Sequence, residues 1–135
     1  MSKPYFIYAE DDLSSVVLFR AGLRKTGAQD CLVHAPDSDA LISCLRDSII
    51  SRNLPAFVLL DIRMPKMEGF DALRWIRAMP QLKHLPVVIL SSSPLPADVE
   101  LATAFGATSY IVKPRAYNEL CRIIAELLAR FGVMK

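Results

Sequence analysis

Ala56-Phe57-Val58-Leu59-Leu60-Asp61 sets five apolar residues directly against a carboxylate. A run this short, with no polar alternation, reads as a strand covered on both faces, as in a parallel sheet. The same figure recurs on either side. Tyr5-Phe6-Ile7-Tyr8-Ala9 stops at Glu10-Asp11-Asp12, and Cys31-Leu32-Val33-His34 makes a second run. Pro86-Val87-Val88-Ile89-Leu90 gives way to Ser91-Ser92-Ser93-Pro94, and Ser109-Tyr110-Ile111-Val112 ends in Lys113-Pro114.

Longer segments of helical character separate these runs. The first extends from residue 14 or 15 to 25, and Gly27 closes it. Pro36-Asp37-Ser38-Asp39 carries helix-start chemistry, and Ala40, Leu41, Ile42, Cys44 and Leu45 follow at helical spacing. Further helices are expected over residues 70–78, with Pro80 beyond the end, and over 98–105, stopped by Gly106. In the last, Leu120, Ile123, Ile124, Leu127, Leu128 and Phe131 form one apolar stripe. Residues 48–55 read as a longer loop. Five strands alternating with five helices predict a doubly wound α/β domain, with a five-stranded parallel sheet and helices on both faces.

The 135 residues are expected to form a single domain, since no repeat, low-complexity tract or linker interrupts them. A composition 53% hydrophobic and 22% charged excludes a disordered chain, and a net charge of +2 without a basic stripe gives no case for nucleic acid. Cys31, Cys44 and Cys121 are too few and too scattered for a disulfide framework or a paired metal site, and read as small buried hydrophobes in a reducing compartment. No signal peptide and no membrane-length apolar run is present, so the expected location is the cytoplasm.

In open α/β sheets the ligand lies beyond the carboxyl ends of the strands. The residues standing there are Glu10, Asp11 and Asp12, then Asp61, Ser91 and Lys113. Carboxylates gathered at one rim repel unless a cation lies among them, and hard oxygen donors at an open edge suit Mg²⁺. A carboxylate can also serve as a nucleophile toward phosphorus, with a lysine, a hydroxyl and a metal offsetting charge on the phosphoryl oxygens. Singly, each residue has a plainer reading. Asp12 is equally placed to cap the first helix, Ser91 to sit in a turn, and Lys113 to end a strand in solvent. What favours a site is their recurrence on successive strand ends.

These residues resemble the receiver domains of two-component response regulators, the CheY-like family, over nearly the whole chain. Asp61-Ile62-Arg63-Met64-Pro65-Lys66-Met67-Glu68-Gly69 fits the family's D-x-x-M-P-x-M-x-G loop at every fixed position. Val87-Val88-Ile89-Leu90-Ser91 looks like the strand carrying the switch hydroxyl. Phe105-Gly106-Ala107-Thr108-Ser109-Tyr110-Ile111-Val112-Lys113-Pro114 resembles its G-A-x-x-Y-x-x-K-P segment.

The resemblance implies that Asp61 accepts a phosphoryl group from a sensor histidine kinase or a histidine phosphotransfer protein. Glu10, Asp11, Asp61 and the Arg63 backbone carbonyl would hold Mg²⁺, with Glu10 acting through water. Ser91 and Lys113 would contact the phosphoryl group, Tyr110 would follow Ser91 as a switch, and the Lys113–Pro114 bond would be cis. Arg63 and Ser93 would border the site and tune hydrolysis of the acyl phosphate.

The implied protein is a single-domain regulator with no output domain. It would catalyse only its own phosphotransfer and autodephosphorylation, and act on a downstream protein as a monomer or as a homodimer through the face of the fourth helix, fifth strand and fifth helix. Its start and its longer stretch before the third strand look like the regulators paired with phytochrome kinases. The alternative is a receiver-like interaction module that is not phosphorylated. A phospho-aspartate phosphatase would want an acid where Arg63 stands, and a flavin domain a Gly-rich loop where Glu10 and Asp11 stand. Pro94 and Pro96 are expected to stiffen the segment leading to the fourth helix.

Overall fold

A computed structural model describes residues 3–63 and 69–134 of the chain. Five strands, β1 (Phe6–Ala9), β2 (Leu32–Ala35), β3 (Val58–Leu60), β4 (Val87–Ser91) and β5 (Ser109–Val112), alternate with five helices. The helices are α1 (Leu13–Arg24), α2 (Ser38–Ser51), α3 (Gly69–Ala78), α4 (Pro96–Ala104) and α5 (Tyr117–Arg130). All neighbouring strands pair in parallel, in the order β2-β1-β3-β4-β5. The winding therefore reverses between β1 and β3, and the carboxyl ends of those two strands open the crevice.

Alternation along each strand divides the interior into two layers. Ile7, Ala9, Val58, Leu60, Val87 and Ile89 meet Leu41 and Leu45 of α2, Leu73 and Ile76 of α3, and Ala102 of α4. Phe6, Tyr8, Leu59, Val88 and Leu90 meet Val16, Phe19 and Leu23 of α1 and Ile123, Ile124, Leu127 and Leu128 of α5. Each fully buried leucine or phenylalanine contributes about 1.5–3 kcal/mol relative to an exposed one, so two complete layers hold the rim in place from both sides.

Three expectations change. Residues 48–55 are not mainly loop, because α2 continues to Ser51. Its end is made by Arg52, left-handed at φ 57, whose N–H bonds the Ile49 carbonyl at 3.2 Å while Asn53 N–H bonds that of Ser48 at 3.0 Å. Buried Leu45 and Ser48 keep the helical face in register, and neither glycine nor proline intervenes before Pro55. The second strand starts at Leu32, because residues 29–31 form a 3-10 turn with Cys31 buried beneath it. The fourth helix starts two residues earlier than expected, with Pro96 in its first turn, where the missing N–H has no helical partner to lose.

The Lys113–Pro114 bond is also not cis, for among the described residues no peptide bond is. The trans isomer is favoured by roughly 0.5–1 kcal/mol before proline. In that isomer Lys113 N–H already bonds the Ser91 carbonyl at 2.8 Å, so the ladder continues to the strand end. Of the D-x-x-M-P-x-M-x-G loop, Met64, Pro65, Lys66, Met67 and Glu68 lie outside the described residues.

Candidate functional site

Parallel pairing in register brings the ends of β1, β3, β4 and β5 to a single rim. Glu10 N–H bonds the Ala35 carbonyl at 3.0 Å and Asp61 N–H bonds that of Ala9 at 3.1 Å, so both acids are fixed by the sheet ladder itself. Glu10 is fully buried and Asp61 is 6% exposed, while Asp11 faces solvent. One carboxylate oxygen from each lies within 4.8 Å of the others. The donor set is hard and anionic with one open side, which fits a small divalent cation.

Lys113 reaches into this cluster from the end of β5. Its Nζ donates to Glu10 Oε1 and, at 3.1 Å, to Asp61 Oδ2. Asp61 Oδ1 accepts the Arg63 N–H at 3.0 Å, so each oxygen of that carboxylate has a protein donor. Burial works to lower the Lys113 pKa, but bonding to Glu10 and the charge on Asp61 outweigh it and leave the ammonium raised. Burial also pushes the Glu10 carboxyl above the usual range, opposed by Lys113 and reinforced by Asp61.

Ser91 ends β4, fully buried, and its Oγ accepts the Ser93 N–H at 3.2 Å. An accepting hydroxyl keeps its own proton for a further partner. Tyr110 donates its hydroxyl to the Ser93 carbonyl at 2.7 Å, and Ser93 Oγ bonds Asp98 in the first turn of α4. Asp12 takes the plainer of its two readings. It caps α1, accepting from Ser14 N–H at 3.2 Å and Ser15 Oγ at 2.8 Å, which lowers its pKa.

Of the residues singled out from sequence, Glu10, Asp11, Asp61 and Lys113 converge directly. Ser91 and Tyr110 join through Ser93, and Arg63 joins through its backbone N–H. Two contributors escaped that reading. Tyr8 donates to Glu10 Oε1 at 3.3 Å, and His34 Nε2 sits 2.7 Å from the Glu10 carbonyl oxygen. Only the first leaves a trace in the sequence. A tyrosine in a strand buried on both faces needs a partner for its hydroxyl, and Glu10 lies two residues on, on the same side. His34 is the register partner of Tyr8, which only strand pairing reveals.

A doubly wound parallel sheet with acids, a hydroxyl and a lysine at its switch point defines a receiver-like class of protein. The response regulator receiver domain profile matches residues 6–125, and the chain belongs to that family. Phosphorylation on an aspartate is the general function of the family. The chain is 33% identical over 120 residues to the two-component response regulator ORR41 of Oryza sativa subsp. japonica, covering 89% of this chain and 91% of the relative.

Among solved structures, the phosphorylated cyanobacterial phytochrome response regulator RcpA matches the fold with a TM-score of 0.85 at 24% identity, over 97% of this chain and 95% of that one. The Mn(2+)-bound form of response regulator Rcp1 gives a TM-score of 0.78 at 26% identity, over 93% of each chain. The bacteriophytochrome response regulator RtBRR gives 0.75 at 30%, over 94% of this chain and 78% of that one. No helix among the described residues is long and apolar enough to cross a membrane.

Proposed function

We propose that Asp61 is the phospho-acceptor of a cytoplasmic receiver domain comprising these 135 residues, and that a histidine kinase or phosphotransfer protein is the donor. The observation that carries this is Lys113 bridging Glu10 and Asp61 across the crevice, with buried Ser91 on the strand between. Attack by an Asp61 oxygen on phosphohistidine forms a P–O bond as the P–N bond breaks. The electron pair leaves with the imidazole nitrogen, and Asp61 as a carboxylate needs no base.

Lys113 meets the oxygens of the transferred group, and the Ser91 hydroxyl proton is placed to bond another. Glu10 and Asp11, with Asp61 and the Arg63 carbonyl, would hold Mg²⁺, as the acidic donor set and the manganese in Rcp1 suggest. Bound there, the ion supplies positive charge to the phosphoryl oxygens. Glu10, whose two oxygens already have protein donors, would act through water. Beyond its own phosphorylation and the hydrolysis of the resulting acyl phosphate we assign no catalysis.

The output surface is the face of α4, β5 and α5, where Leu95, Leu101 and Val112 stand exposed and Tyr110 reaches the β4–α4 turn. Its occupant is a partner protein or a second copy of the chain. A phytochrome kinase as donor is supported by the likeness to RtBRR.

Incubation with acetyl phosphate and Mg²⁺, followed by intact mass, tests the reading. One phosphoryl adduct is expected in the wild type, and none in Asp61→Asn or with EDTA. An adduct that survives Asp61→Asn removes Asp61 from the role. No adduct from acetyl phosphate or a phosphorylated kinase domain makes the chain an interaction module.

A further inference from the structure

We propose that Tyr8 is a positioning residue for this site: its buried hydroxyl holds the Glu10 carboxylate and, through it, aims the Lys113 ammonium at Asp61. The inference rests on the site as read above and adds a residue to it.

Tyr8 is 1% exposed, its ring packed on Phe19 with centroids 4.4 Å apart, in the layer beneath α1 and α5. Packing alone asks only for an aromatic ring. The hydroxyl is the surplus group, and a buried one needs a partner. It finds Glu10 Oε1 at 3.3 Å. The same oxygen receives Lys113 Nζ, while Glu10 Oε2 accepts the N–H groups of Asp11 at 3.1 Å and Asp12 at 3.4 Å. Each oxygen therefore has two donors, and the head of a long, rotatable side chain is pinned.

The consequence reaches Asp61 through Lys113. Its ammonium has three protons, of which one goes to Glu10 and one to Asp61 Oδ2 at 3.1 Å; Ser15 Oγ stands further off, at 3.5 Å. Moving Glu10 Oε1 therefore moves the ammonium relative to Asp61. Tyr8→Phe keeps the ring and deletes only the hydroxyl, so Oε1 loses one of its two donors. Glu10→Asp shortens the side chain by one methylene, which draws the carboxylate out of reach of the Tyr8 hydroxyl.

These substitutions form a double-mutant cycle. The maximal rate of phosphorylation by acetyl phosphate at saturating Mg²⁺ is measured for the wild type, Tyr8→Phe, Glu10→Asp and the double variant. Tyr8→Phe is expected to lower the rate about three- to tenfold when residue 10 is glutamate, and by less than about twofold when it is aspartate. A wild-type rate in Tyr8→Phe overturns the proposal, as does an equal loss in both backgrounds, which marks a packing effect. A melting temperature lowered alike in both backgrounds does not blur the result, since a general loss of stability acts whatever the length of residue 10.

If the wild type takes up no phosphoryl group, the reading of the site fails separately. The ¹⁵N resonance of the Lys113 ammonium then decides alone. A shift in Tyr8→Phe upholds the linkage, and an unmoved resonance ends it.

Discussion

Gly69 opens α3 with its N–H bonded to the Ile62 carbonyl at 2.9 Å. A β-carbon there would stand 2.4 Å from both the Asp61 carbonyl oxygen and Ile62 Cα. Those atoms are backbone and cannot swing aside, so Gly69→Ala must displace the segment that carries the Asp61 carboxylate. We predict a loss of about 2–3 kcal/mol by urea unfolding, and at least a tenfold slower uptake of phosphate from acetyl phosphate. Gly132→Ala is the control. At φ +76 with nothing within 4 Å, it carries local strain but should be phosphorylated at the wild-type rate.

At this scale the sequence was legible wherever a polar residue ended an apolar run, which is why Asp61, Ser91 and Lys113 could be placed. It was less legible where a polar atom sits inside a run. Tyr8 reads as core until the position of Glu10 above it is known. That Lys113 bridges two acids depends on the sheet order, which no local pattern states.

Among the elements, α4 is held most lightly. Ala102 is its one fully buried residue, and Leu95 and Leu101 beside it are exposed. Its N-terminus is tied instead by polar bonds, from Ser93 Oγ to Asp98 and from Tyr110 to the Ser93 carbonyl. Asp98→Ala removes the first of these ties and leaves the core untouched. Hydrogen exchange of the Leu95 amide and amides 97–104 should then accelerate about tenfold, as expected for losing roughly 1.4 kcal/mol of local stability, while β1, β3 and β4 keep their protection. Unchanged exchange in α4 would show that this tie carries no weight.

This helix was also the hardest to delimit from sequence, because its apolar residues form no stripe and Pro96 looked like a barrier rather than a first turn. The end of α2 was misjudged for a related reason. A left-handed arginine, Arg52, closes it where a glycine would have announced the stop. By contrast, α5 was plain, since its stripe packs onto α1 and the sheet without interruption.

For the molecule as a whole, the two packed layers force Glu10, Asp11 and Asp61 together and leave Lys113 as the cation bonded to two of them. The fold thus carries excess negative charge at its rim, and a divalent cation there should bind the folded chain in preference to the unfolded one, in which the three acids are apart. Linkage then makes stability depend on Mg²⁺: at ten times its dissociation constant the gain is about 1.4 kcal/mol, or roughly 3–6 °C in Tm for a domain of this size. Asp11→Asn takes away the most accessible ligand and one of the repelling charges together. It should melt in EDTA at or above the wild-type temperature and show almost no response to Mg²⁺. Thermal melts of both proteins across a Mg²⁺ titration check this. A variant that keeps the full metal-dependent rise would place the cation elsewhere, and one that melts well below the wild type in EDTA would show that Asp11 stabilises the fold rather than burdening it.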